Sequence, residues 1–176
     1  NSRFGKRRTS INQKIEKVLV IRPGGIGDAA LLLPALKILK DVIPATQIHI
    51  LCEPRNAGVF AHSPFISKIL NYNRLGDLKK VRETEYDRIF DTEQSHFLTS
   101  AFVAILKGYK KIGFATEGKE RAYDVSVQYY HDEYEAESFF RLFAAGIENW
   151  PEKFQLQPPY FSPTDQERAK VDALLT

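Results

Sequence analysis

At 176 residues, 43% hydrophobic and 12% aromatic, the chain can bury one sizeable core and lies near single-domain size. Its formal charge of +3 favours anionic partners only weakly, and no nucleic-acid partner is expected, because much of the excess sits at Arg3, Lys6, Arg7 and Arg8. One cysteine excludes an internal disulfide, and no apolar run approaches the ~18 residues that span a bilayer or follows the order of a signal peptide.

Residues 1–16 read as a basic, disordered tail, which could hold the protein at an acidic membrane surface. The sequence has no methionine, so its first residue is not expected to be where translation begins. The first strand is expected over 17–22, an apolar run without polar alternation that suits a strand covered on both faces. A turn with Gly24, Gly25 and Gly27 follows, where missing Cβ atoms let backbone N–H groups approach a ligand. Asp28 is placed at the opening of a helix, where the first donors lack partners. Pro34 predicts a break, with a short first turn and a second helical start at the proline, and Pro44 ends the helix.

Residues 47–52 read as a second strand, completing a strand–helix–strand crossover with Cys52 as a small buried hydrophobe. The pattern repeats with a helix over 53–60, a strand over 68–72, a polar helix over 76–85 and a strand over 87–91. A helix is expected over 95–107, with Leu98, Ala101, Phe102, Ile105 and Leu106 on its apolar face and Gly108 as its cap. Strands over 110–114 and 123–127 flank a charged loop, 117–121. A helix over 135–145 then turns Phe139, Phe140 and Phe143 to the core. Pro151, Pro158 and Pro159 mark 148–159 as an extended linker. Ser162 as N-cap, Pro163 and Asp165 then open a last helix running to Thr176.

Strands alternating with helices predict an α/β fold, a Rossmann-like and mainly parallel sheet flanked by helices, with ligands beyond the carboxyl ends of the strands. The glycine turn lies at such an end. Glu93 and Gln94 follow another strand and share the same expected crevice, while Arg55, Lys119 and Arg121 fall on the ligand side as candidate partners for carboxylates or phosphates. His49, His62, His96 and His131 lack the paired spacing of metal sites, and neither a metal nor a cofactor is expected. The pattern Gly25-x-Gly27-x-x-Ala30 with Glu53 also fits a dinucleotide-binding (NAD or FAD) domain of an oxidoreductase, although a pyrophosphate would meet the charge of Asp28. A non-catalytic module binding a glycan or membrane surface is the other alternative.

Taken in order, Val18-Leu-Val-Ile-Arg-Pro-Gly-Gly-Ile-Gly-Asp28, Leu33-Pro-Ala-Leu36, Glu53-Pro-Arg-Asn56, Tyr86-Asp-Arg-Ile-Phe-Asp91 and Ile112-Gly-Phe114 resemble glycosyltransferase family 9, the bacterial heptosyltransferases. The resemblance implies the N-terminal half of a GT-B glycosyltransferase that inverts the anomeric carbon. Residues 17–147 become the acceptor-binding domain, and 148–176 the linker and first helix leading to an absent donor domain that binds ADP-heptose. On this analogy Asp28 is the general base, Gly24, Gly25, Gly27, Glu93 and Gln94 line the acceptor, and Arg121, with Lys119 as companion, faces an acidic glycan or lipid-linked sugar acceptor such as lipopolysaccharide core. A carboxylate at a helix N-terminus is stabilised in its charged form, so proton transfer late in a dissociative step is expected. The implied location is cytoplasmic, peripheral to the inner membrane, and this chain alone should be an inactive half.

Overall fold

The computed structural model describes residues 14–116 and 118–175. Arg3, Lys6, Arg7 and Arg8 of the basic tail, Glu117 of the charged loop and Thr176 at the expected end of the last helix lie outside the described residues. Six strands form one sheet: β1 (Lys17–Arg22), β2 (Gln47–Cys52), β3 (Lys68–Asn71), β4 (Tyr86–Asp91), β5 (Gly108–Ala115) and β6 (Val125–Gln128). Their order is β3-β2-β1-β4-β5-β6 and every pairing is parallel, with Val18 beside both Ile48 and Arg88. The helices are α1 (Ile26–Val42), α2 (Ala57–Ala61), α3 (Leu75–Glu83), α4 (Phe97–Ile105), α5 (Glu135–Ala144) and α6 (Asp165–Leu175), and a 3-10 turn covers Lys119–Ala122.

The unbroken apolar runs are explained by two cores, one on each face of the sheet. In β1, Val18 and Val20 join α1, α2 and α5 on one face, while Leu19 and Ile21 join α3 and α4 on the other. Phe90 stacks on Phe143 of α5 at 4.2 Å between ring centroids, and Phe143 stacks in turn on Trp150. Strand order reverses between β1 and β4, so the loops after these two strands part and leave a crevice at their carboxyl ends.

Several local expectations are corrected. Residues 14–16 are not tail: Ile15 is buried, and Glu16 N–H donates to Asp87 Oδ2 at 2.8 Å. Pro34 does not interrupt α1, which runs through it with the ring buried. The proline deprives the carbonyl four residues back, and that residue, Ala30, is exposed to water. Gly108 does not cap a helix but begins β5, paired with Tyr86. On α4 the buried face is Thr99, Ser100 and Val103, whereas Leu98 and Ile105 are 68% and 61% exposed.

The 148–162 segment has no regular structure but is tied to the domain. Trp150 and Tyr160 pack against the first core, Ser63 Oγ donates to Tyr160 O at 3.0 Å, and Ser162 N–H donates to His62 O at 2.8 Å. The last helix is opened by Thr164 and not by Ser162. Glu167 N–H donates to Thr164 Oγ1 at 3.3 Å while the Glu167 carboxylate accepts from Thr164 N–H at 2.8 Å, a reciprocal capping box. Among the described residues no helix is long and apolar enough to cross a membrane.

Candidate functional site

The crevice is organised by a residue the sequence reading passed over as the end of a strand. Arg22 closes β1, is 2% exposed, and sends its guanidinium across the mouth of the sheet. Its Nη1 donates to Thr92 O at 2.7 Å and to Gln94 Oε1 at 3.3 Å, and its Nη2 donates to Asp28 Oδ2 at 3.0 Å. Glu93 Oε2 lies 3.8 Å from the same Nη2, and the guanidinium carbon stands 5.8 Å from the Phe139 ring centroid. The detectable signal was a cation terminating a fully apolar strand, which is costly unless acceptors converge on it.

Asp28 occupies the third position of α1, behind Gly25 as N-cap, and makes no side-chain cap bond. Its side chain is 45% exposed. Oδ2 is held by Arg22, and Oδ1 has no hydrogen-bond partner among the described residues. Of the three glycines, Gly24 has φ +94°, a backbone that side chains rarely adopt, and a Cβ there would come within 3.3 Å of Arg22 Nη2. Gly25 and Gly27 have ordinary φ, and a Cβ on Gly27 would meet nothing within 4 Å. The turn therefore requires one glycine where the sequence offered three.

Glu93 is brought to the site, but its carboxylate looks inward: Oε1 accepts from Ser95 N–H at 3.0 Å and His96 N–H at 3.3 Å, closing the start of α4. Lys119 is 2% exposed, and its Nζ donates to Glu93 O, so it supports this loop from below. Arg121 is exposed on the same 3-10 turn and makes no ion pair with the described residues. Arg55 is exposed and pairs with Glu53 at 2.7 Å, which occupies the carboxylate that a ribose reading would need.

Behind the loop, Asp91 is wholly buried at the end of β4. Burial pushes its carboxyl up, opposed by the charge of Lys119 and by bonds from Tyr123 Oη at 2.7 Å and Glu93 N–H at 3.1 Å. Two further residues of the site were missed. Glu135, at the start of α5, accepts from Gln94 Nε2 through Oε1 and from Tyr129 Oη at 2.8 Å through Oε2. Burial first, then the hydrogen bond to Glu135 and the charges of Glu135 and Asp28, push the Tyr129 phenol up to about 12. Neither residue carried a motif; the available signal for Glu135 was an acid in the first turn of a helix on the ligand side.

The mouth thus holds one half-exposed carboxylate with a free oxygen, backed by a buried guanidinium and two further acids. Such a site can accept a proton from a hydroxyl and hydrogen-bond a polyol, whereas a pyrophosphate at the start of α1 would meet the charge of Asp28. Among the described residues no cluster of His, Cys, Asp and Glu could hold a metal ion.

No family model and no curated protein matches the chain. Solved structures do. E. coli heptosyltransferase WaaC with ADP superposes with a TM-score of 0.70 at 20% identity, over 82% of this chain and 50% of that one. E. coli ADP-heptose lps heptosyltransferase II gives 0.72 at 19% identity, over 91% and 50%. A glycosyl transferase family 9 structure from Veillonella parvula gives 0.73 at 12% identity, over 91% and 49%. The chain spans about half the length of each of these proteins. Its all-parallel six-stranded sheet, flanked by helices, shares the fold of about half of each of these GT-B glycosyltransferase structures.

Proposed function

We propose that this chain is the acceptor half of an inverting heptosyltransferase, with Asp28 as the general base. The observation that carries the reading is the Asp28 carboxylate itself: half-exposed at the switch point, with Oδ2 fixed by Arg22 and Oδ1 open. The base takes the proton of an acceptor hydroxyl as its oxygen bonds to the anomeric carbon of the donor sugar, and the bond from that carbon to the diphosphate breaks with ADP leaving. Orientation matters as much as basicity, because the reacting oxygen must lie in line with the departing one.

The donor assignment is supported by the matched WaaC structures, which hold ADP and ADP-2-deoxy-2-fluoro heptose. The acidic centre of the site suits hydroxyls of the acceptor, and its anionic groups, as in lipopolysaccharide core, would meet Arg121 and Arg55 at the rim. The sugar nucleotide binds the other half of the enzyme, and the acceptor's lipid places the protein at the inner membrane from the cytoplasmic side. In the two-domain enzyme, Asp28→Asn should lower kcat by about a thousandfold with the KM for the sugar nucleotide nearly unchanged. Wild-type turnover in that variant would remove Asp28 as the base.

A further inference from the structure

Gln94 has two ends that are not interchangeable here. Its Oε1 accepts from Arg22 Nη1 at 3.3 Å, and its Nε2 donates to Glu135 Oε1. A primary amide can present these atoms either way round, so its neighbours decide. Both neighbours decide the same way: a guanidinium only donates and a carboxylate only accepts. The second oxygen of Glu135 takes the Tyr129 hydroxyl at 2.8 Å, and the second terminal nitrogen of Arg22 holds Asp28 at 3.0 Å.

One hydrogen-bonded chain therefore runs Tyr129–Glu135–Gln94–Arg22–Asp28. It joins the loop after β6, the first turn of α5, the loop after β4, the end of β1 and the first turn of α1. We propose that Glu135 is a positioning residue for the reaction at Asp28: its charge sets the sense of the Gln94 amide, the amide sets the Arg22 fork, and the fork sets the carboxylate. This inference rests on the reading of Asp28 as the base. A carboxylate in the first turn of α5 also favours that helix end, a role that would need no Gln94.

An exchange of the two side chains separates these roles in the two-domain enzyme. Glu135→Gln alone leaves Gln94 free to turn, and kcat falls about 10–100-fold while the KM for the sugar nucleotide and the melting temperature hold. In the double variant Gln94→Glu, Glu135→Gln, the new carboxylate accepts from Arg22 and the new amide donates to it and accepts from Tyr129. Every bond of the chain is rebuilt with the charge moved off α5, and kcat should return to within about threefold of wild type. A double variant no better than Glu135→Gln, or a Glu135→Gln enzyme with wild-type kcat, overturns the inference when Asp28→Asn is inactive. An active Asp28→Asn enzyme overturns the reading of the base, and the inference with it.

Discussion

Replacing Arg22 by methionine removes the guanidinium and keeps much of the side-chain volume. Three acceptors lose their donor: Thr92 O at 2.7 Å, Gln94 Oε1 at 3.3 Å and Asp28 Oδ2 at 3.0 Å. Asp28 is half in water and recovers most of its loss there. Thr92 O is buried with no other donor among the described residues, and stranding it costs about 1–3 kcal/mol. Glu93, with a side chain 6% exposed, loses a cation 3.8 Å away, and breaking a buried pair costs about 3–5 kcal/mol, here at the low end because Ser95 and His96 N–H still bind the carboxylate. The sum is about 4–6 kcal/mol. With a urea slope of about 2 kcal/mol per molar, the midpoint should fall by about 2–3 M. The sole tryptophan, Trp150, stacks on Phe143 in the first core and reports the transition by fluorescence. Adding Glu93→Gln to the Arg22→Met variant removes the stranded charge and should recover about 1–2 kcal/mol. A midpoint shift under about 0.5 M, or strictly additive losses in the double variant, would refute the idea that Arg22 holds the site together by charge.

Gly113→Ala should cost about 3 kcal/mol, or ~6–12 °C in Tm, because its Cβ would stand 2.2 Å from Cζ of Tyr123 and push that hydroxyl off Asp91; a change below 2 °C by calorimetry would show that the ring moves freely. Glu133 receives Arg141 Nε at 2.7 Å, and the hydrogen bond from this guanidinium holds its carboxyl below the usual carboxylate range. A depressed folded value means that the stabilisation is complete above the unfolded value near ~4.3 and is lost as pH falls through the lower folded one. Glu133→Gln should therefore destabilise at pH 7 and flatten the acid limb of a stability-versus-pH series; an unchanged acid limb would assign that limb to other groups.

The central strand β1 was legible because a strand covered on both faces tolerates no polar alternation, and all six strands appear within two residues of their expected bounds at every end. The meeting of two polar segments was legible as well: parallel strands force crossovers, and crossovers put the glycine turn and residues 91–95 at one edge. The facing of α4 was not. Its apolar residues surround much of the helix, so periodicity offered two faces, and packing against β4 and the 3-10 turn selected the one with Thr99, Ser100 and Val103.

Sequence by itself determined the α/β order, the polar residues that end β1 and β4, and the presence of Asp28 in the first turn of α1, because these follow from local hydrophobicity and backbone chemistry. Only the tertiary structure decided which side chains meet. Arg22 and Gln94 lie 72 residues apart, and Gln94 and Glu135 lie 41 apart. It also buried Lys119 and left Arg121 outside, although the two share one short turn. A hydrogen bond is satisfied by position in space, and that position is set by how the sheet pairs and twists, which no single stretch of chain encodes.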